Sequence, residues 1–187
     1  GRYAYANQPL ILAWNLARLA ETLLPFLDPD PDRAVEIAND RLTGIAGLYR
    51  TEWLAVMRRK LGLQGEDAGD AALVDDLMSA MTGADWTLTF RRLADPAALR
   101  PLFDDFRGMQ AWLPRWQARA GEGAAQRLAL ANSAVIPRNH QVEAALTAAT
   151  EGDMAPFHAL LAAIQSPFTE AEPYMLPAPT GFGRYVT

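Results

Sequence analysis

Three aspartates at alternate positions offer the oxygen ligands that a calcium ion prefers. Asp28, Asp30 and Asp32 match the first three ligand positions of a calcium-binding loop. Such a loop also needs a glycine at its sixth position and a glutamate at its twelfth, where this chain has Arg33 and Asn39. The intervening prolines favour a turn with helix caps, so we expect no calcium site here.

The residue types needed for nucleophilic or metal catalysis are sparse. The two histidines, His140 and His158, do not have the i, i+4 spacing of a helical ligand pair. Ser133 precedes His140, but no orienting carboxylate or nucleophile elbow accompanies them. The chain has no cysteine, which removes thiolate catalysis, disulfides and cysteine zinc sites. We therefore predict no catalytic, cofactor-binding or metal-binding residue in this chain.

Two basic clusters and a glycine pair have residue types that could contact a nucleotide. The clusters, 58–60 and 91–92, stand at predicted helix ends, where cations offset the helix dipole by about 0.3–1 kcal/mol. Contact with a phosphate is the alternative role for both clusters. The segment 181–183 (Gly-Phe-Gly) matches half of a dinucleotide fingerprint but lacks the strand, the third glycine and the following helix. For the five tryptophans, core packing is favoured over a base-stacking platform.

A first helix is predicted to begin after Asn7, with Pro9 in its first turn. Its leucines share one face of a 3.6-residue helix and are Leu12, Leu16, Leu19 and Leu23. We expect this face to be buried. Pro25 and the aspartate-proline run at 28–32 are predicted to end the helix.

Helical patterns continue along the rest of the chain. A second helix is predicted to begin after Asp30 and to run to Leu61. Asp85 and Asp95 are typical caps, for a short helix over 86–93 and for a helical segment reaching Phe106. The alternation at 86–90 is too short and isolated for a strand, so helix is favoured there. Further apolar stripes predict helices around Leu73, Leu128, Leu146 and Leu160.

The pattern predicts an all-α protein with one helical domain over 1–165. From Ser166 onward four prolines disfavour regular structure, so 166–187 is predicted to be an irregular, extended tail. The net charge of −5 and the pI near 5.0 argue against a nucleic-acid partner. No apolar run of roughly 20 residues and no signal peptide was found, so we expect a cytoplasmic protein without a membrane partner. Because the chain starts with Gly1, we expect it to be a fragment.

Several groups of residues, in order along the chain, resemble motifs shared by the selenoprotein O family. They are Gly1-Arg2-Tyr3-Ala4-Tyr5 with Asn7-Gln8-Pro9, Trp14-Asn15-Leu16 with Arg18-Leu19-Ala20, Tyr49-Arg50 with Trp53-Leu54 and Met57-Arg58, Asp85-Trp86-Thr87 with Phe90-Arg91-Arg92-Leu93, Ile136-Pro137-Arg138-Asn139-His140 with Val142-Glu143, and Gly152-Asp153 with Pro156-Phe157 and Pro167-Phe168. The resemblance covers nearly the whole chain.

The resemblance implies a protein-kinase-like fold that binds ATP and magnesium and transfers AMP to Ser, Thr or Tyr hydroxyls of proteins. In the family, the residues that hold the nucleotide and the metal precede the Gly-Arg-Tyr motif. This chain is therefore expected to be the helical C-terminal lobe, inactive alone, with its first helix beneath the active site. The implied partners are the N-terminal kinase-like lobe of the same protein and protein substrates. The alternative is a stand-alone helical protein-interaction module.

Two departures from the family are visible. Many members end near a cysteine motif proposed as a redox element, whereas this chain has no sulfur in its tail after Met175. Redox control through that element is not expected here. Where relatives often have Asn-Pro, this chain has Asn132-Ser133, which we expect to alter only a turn.

Overall fold

The computed structural model describes residues 7–179 and 181–182. Throughout that range the regular structure is helical and no strand occurs, which confirms the predicted all-α class. The helices are α1 (Gln8–Leu27), α2 (Pro31–Thr43), α3 (Ile45–Lys60), α4 (Asp70–Ala80), α5 (Trp86–Arg92), α6 (Pro96–Leu99), a 3-10 helix (Arg100–Leu102), α7 (Arg107–Ala120), α8 (Ala124–Ala131), α9 (Asn139–Thr150) and α10 (Ala155–Gln165).

The chain divides into two compact units. Unit 1 contains the described residues 7–55, with α1, α2 and most of α3. Unit 2 contains the described residues from 56 onward, with the end of α3 and all later helices. The domain boundary between residues 165 and 166 stays a prediction.

In unit 1, α1 packs against α2. Two aspartates, Asp28 and Asp30, hold the connector between these helices in a turn. Asp28 accepts the backbone N–H of Asp30 at 2.9 Å and forms an ion pair with Arg33 at 3.1 Å. Asp30 in turn caps α2 by accepting the N–H of Asp32 at 3.0 Å, with Pro31 in the first turn. These aspartates therefore form the predicted turn and cap.

Three helix boundaries differ from the predictions. Helix α1 continues through Pro25 to Leu27, because the missing N–H and the ring clash of a proline so near the helix end disturb only the end of the helix. The helix predicted from Pro31 to Leu61 is two helices, interrupted at Gly44, since glycine is a poor helix former. The segment predicted to be helical as far as Phe106 shortens to α6 and a 3-10 helix.

The leucine face of α1 is not buried, contrary to the sequence prediction. Leu12, Leu19 and Leu23 are 48%, 53% and 42% exposed. The half-buried residues of α1 include Ala13, Ala17, Ala20 and Leu24, which lie on a neighbouring side of the helix. A helix side is buried only where a second element covers it, and in unit 1 no described residue of α1 is buried.

The expectation that no apolar run is long enough to span a bilayer is wrong for α1. By length and composition α1 is able to cross a membrane, and it is the single such helix among the described residues. One helix of this kind is weak evidence, because core helices of globular proteins pass the same test. Asn15, Arg18 and Thr22 give α1 a polar side, where Arg18 forms an ion pair with Glu21 at 2.5 Å.

Unit 2 has a well-packed core between α4 and α7. The rings of Trp112 and Trp116 stack at 6.1 Å, and their indole N–H groups donate to Leu73 O at 2.7 Å and Leu61 O at 2.9 Å. These two tryptophans confirm the core assignment. It is wrong for Trp14 and Trp86, which are 50% and 43% exposed.

The described part of the tail is attached to unit 2. Residues 166–179 form turns without a helix or strand. Pro167 O accepts the N–H groups of Ala134 at 2.7 Å and Val135 at 3.0 Å. Met175 is buried in a second small core with Leu88 and those two residues. Although irregular, the tail up to this point contributes to the packing of unit 2.

Candidate functional site

A fully buried carboxylate, Asp70, lies at the centre of a charged cluster in unit 2. It accepts hydrogen bonds from Arg58 Nε at 2.7 Å and from Arg119 Nε at 2.7 Å and Nη2 at 3.1 Å. The backbone N–H of Asp67 donates a further bond at 3.0 Å. One negative charge is thus enclosed by two guanidinium groups, which is the pairing that a buried carboxylate needs. We call these four residues the Asp70 network.

The Asp70 network anchors the loop that joins α3 to α4. Arg119 also donates to the carbonyl oxygens of Gln64 at 3.0 Å and Gly65 at 3.3 Å. Arg58 forms a second ion pair with Glu66 at 3.2 Å. The loop is therefore attached to α3 on one side and to α7 on the other.

The electrostatic environment keeps Asp70 ionised. Burial raises the pKa of Asp70, but hydrogen bonds from Arg119, Arg58 and the Asp67 backbone outweigh burial and hold the pKa below its ordinary value. The hydrogen bond to Asp70 likewise raises the pKa of the Arg119 guanidinium. Both groups are charged at neutral pH, so the cluster is an ion network.

Acidification is expected to remove the stability that Asp70 supplies. A carboxyl group with a lowered folded-state pKa binds fewer protons when folded than when unfolded, so its contribution is present above the unfolded pKa of about 3.9. That contribution is lost as the pH falls through the lower, folded-state pKa. The free energies of unfolding measured in urea for the wild type and for Asp70→Asn should show their full difference at pH 6. The difference should become progressively smaller below about pH 4. A difference that does not change with pH would contradict this assignment.

A second polar cluster joins α3, α5 and α8. The ammonium of Lys60 donates to Asn132 Oδ1 at 2.9 Å and lies 4.4 Å from the centre of the Phe90 ring. Burial lowers the pKa of Lys60. Asn132 is itself buried and donates to Lys60 O at 2.8 Å and Leu128 O at 3.1 Å. Arg91 closes this cluster by donating to Asn132 O at 3.2 Å.

A separate ion pair, between Asp85 and Arg138, connects the start of α5 to the segment before α9. Asp85 caps α5 by accepting the N–H of Leu88 at 2.8 Å, as the sequence predicted. The same carboxylate receives Arg138 Nη1 at 2.6 Å and Nη2 at 3.2 Å. The remaining donor, Arg138 Nε, is buried and has no hydrogen-bond partner in the described structure. Asp85 therefore combines a helix cap with a nearly buried ion pair.

The two basic clusters of the sequence are largely engaged by the protein itself. Arg58 binds Asp70, and Lys60 binds Asn132. Arg91 donates to Ala129 O at 2.9 Å, and Arg92 donates to Glu170 at 2.9 Å. These contacts favour a structural role for the clusters over contact with a phosphate.

The other residues considered from the sequence do not converge on one site. His140 contacts Gln141 at 3.2 Å and the Phe182 ring at 5.8 Å, whereas His158 lies against Phe157. Within 7–179 and 181–182, no group of three or more His, Asp or Glu side chains is placed to hold a metal ion. The motif at residues 1–5 and Gly183 lie outside the described residues. The absence of catalytic, cofactor and metal residues from this chain stays a prediction.

A small apolar cavity lies between α9 and α10. Its volume is about 130 Å³, and Leu146, Phe157 and Leu161 are among the side chains that line it. The lining is aliphatic and aromatic, without the convergent polar groups that orient a substrate. The cavity therefore has no arrangement suited to chemistry.

Several of the contacts above use residues of the motifs quoted from the sequence. Arg58, Asp85, Arg91 and Arg138 each belong to one of those motifs and each bind another segment of unit 2. These ion pairs and hydrogen bonds hold helices and loops of unit 2 in a defined geometry. Sequence reasoning missed Asp70, Arg119 and Asn132, and the available signal was only that each is a polar residue beside an apolar stripe.

Comparison with known proteins gives a consistent result. A profile of the family described as protein adenylyltransferase SelO matches residues 1–165. The chain is 56% identical over 191 residues to the "Protein nucleotidyltransferase YdiU" of Cereibacter sphaeroides (strain ATCC 17029 / ATH 2.4.9), covering 97% of this chain and 40% of that protein. Proteins of the same name from Agrobacterium fabrum and Mycobacterium sp. (strain KMS) are 49% and 47% identical, covering 91% and 100% of this chain and 38% and 41% of those proteins.

Proposed function

Because this chain belongs to the SelO family of protein adenylyltransferases, we propose that the whole protein transfers AMP from ATP to Ser, Thr or Tyr hydroxyls of other proteins. The observation that carries the proposal is the family match over residues 1–165. The chain spans about 40% of the length of the curated relatives it matches. The activity is therefore proposed for the whole protein.

The division of labour within that protein is part of the proposal. The charged groups of unit 2 bind one another and backbone carbonyls, which suits a supporting element better than a reaction centre. ATP and magnesium would be held by residues outside this chain, in a kinase-like arrangement whose C-terminal helical lobe is this chain. In that arrangement α1 lies beneath the active site. The chain alone is proposed to be inactive.

The proposed partners follow from the same reasoning. They are the N-terminal kinase-like lobe of the same protein and the substrate proteins that receive AMP. The net charge of −5 supports the absence of a nucleic-acid partner. We propose a cytoplasmic location without a membrane partner, which α1's polar side supports.

Radiolabelled ATP tests the proposed reaction. The whole protein with magnesium and ATP labelled on the α-phosphate is expected to label itself or proteins of an extract, because the AMP group carries that phosphate. ATP labelled on the γ-phosphate should give no labelling, and chelation of magnesium should abolish the signal. Label transferred from the γ-phosphate, or labelling by the 187-residue chain unaided, would contradict the proposal.

A stand-alone helical interaction module is the second candidate, and the apolar cavity between α9 and α10 is the observation that favours it. The two candidates differ in the coding sequence. A reading frame that continues upstream with lysine, glutamate, asparagine and aspartate in kinase-like order supports the enzyme. A start codon immediately before Gly1 supports the module.

A further inference from the structure

Helix α1 exposes a continuous row of large apolar side chains. Four side chains of α1 at spacings of seven, four and three define what we call the apolar stripe: Leu12, Leu19, Leu23 and Phe26. Each is at least 42% exposed, and Phe26 is 85% exposed. We propose that polypeptide of the same protein, from outside these 187 residues, packs against the apolar stripe.

The contrast between the two units supports this proposal. Among the described residues of unit 1, the buried apolar residues are only Ala34 and Ala38. Unit 2 buries large side chains such as Phe90, Leu77 and Trp112. Stability comes mainly from apolar burial, so unit 1 lacks the core that unit 2 has. The missing apolar surface has to be supplied by another element.

The spacing of the stripe indicates that the missing element is packed protein. An i, i+4, i+7 pattern of leucines and a phenylalanine is that of a helix side that fits against a neighbouring element. The polar side with Asn15, Arg18 and Thr22 and the Arg18–Glu21 ion pair is poorly suited to a bilayer interior. A helix surrounded by lipid would be apolar on every side.

The size of the relatives identifies the occupant. Each matched relative is about two and a half times as long as the region it shares with this chain, which covers only 40% of the Cereibacter sphaeroides protein. Polypeptide of the same protein is therefore present at a fixed ratio and high effective concentration. This inference depends on membership of the family and not on adenylyl transfer, so the labelling experiment and the experiment below can fail independently.

The test compares one pair of substitutions in two contexts. In the whole protein, Leu19→Glu with Leu23→Glu is expected to lower the melting temperature by several degrees, because two charges would enter a packed interface. In the 187-residue chain the same pair should change the melting temperature little, since both side chains are already exposed. Asn39→Glu with Thr43→Glu is the matched control, adding the same charge at two exposed positions of α2 with the same spacing of four, and should have small effects in both contexts.

A second measurement avoids variants that fail to fold. Hydrogen exchange of the unsubstituted proteins should show the α1 amides protected roughly tenfold or more strongly in the whole protein than in the 187-residue chain. Equal exchange in the two, or equal effects of the stripe pair and the control pair, would overturn the proposal. So would binding of the whole protein to phosphatidylcholine–phosphatidylglycerol vesicles that the stripe pair abolishes, or a dimer of the whole protein that the stripe pair dissociates.

Discussion

Replacing Asp70 by asparagine is expected to lower the free energy of unfolding of unit 2 by about 3–5 kcal/mol at neutral pH. The substitution keeps the shape of the side chain but removes the charge that Arg58 and Arg119 enclose. Arg119 would then remain largely buried without its carboxylate partner, and Arg58 would keep only its ion pair with the exposed Glu66. Buried charges that lose their partner are costly. Urea unfolding followed by the fluorescence of the buried Trp112 and Trp116 measures the loss.

The control for this prediction is an aspartate six residues further along the same helix. Asp76 of α4 also pairs with an arginine of α7, Arg115, at 2.6 Å, but both side chains are 54% exposed. Asp76→Asn should therefore cost less than about 1 kcal/mol, as exposed ion pairs do. Similar losses for the two substitutions would show that burial of Asp70 does not determine its contribution.

Local signals predicted the secondary structure well. Asp30, Asp85 and Asp95 each accept backbone N–H groups at the helix starts predicted from the sequence. A cap involves residues two or three positions apart, so the sequence alone contains the necessary information. Helix ends were harder, as at Pro25 and Gly44, because there the intrinsic preference of one residue competes with the hydrogen bonds of the surrounding helix.

Long-range contacts were beyond sequence reasoning for a physical reason. Arg119 reaches Asp70 across 49 positions, and Lys60 reaches Asn132 across 72. Nothing in the spacing of such residues specifies the contact, because the packing of several helices brings them together. The prediction that the leucine face of α1 is buried was wrong for a related reason. Periodicity predicts which residues share a side of a helix but not whether another element covers that side.

The motifs of the sequence indicate the family, whereas the contacts in the structure indicate what those motifs do physically. The motif residues Arg58, Asp85 and Arg138 are held in ion pairs within unit 2. A motif that resembles part of an enzyme is therefore compatible with residues that do no chemistry themselves. A supporting role for these residues is consistent with the prediction that this chain holds no catalytic residue. The absence of catalytic residues stays a prediction.

Removing the Phe90 ring is the second substitution with a large expected effect. Phe90 of α5 is fully buried, lies 5.1 Å from the Trp86 ring and carries the Lys60 ammonium over its face at 4.4 Å. Phe90→Ala leaves a cavity in the core and takes the ring from a half-buried cation, so we expect a loss of about 3–5 kcal/mol in unfolding free energy. Urea unfolding at neutral pH measures it.

Trp86 provides the comparison for Phe90, because it is a larger aromatic residue on the same helix. Its side chain is 43% exposed, so truncation to alanine removes less buried surface and leaves no closed cavity. Trp86→Ala should therefore destabilise unit 2 clearly less than Phe90→Ala, although it deletes more atoms. If Trp86→Ala costs as much or more, the stability of α5 depends on its outer aromatic side and not on the contact between Phe90 and Lys60.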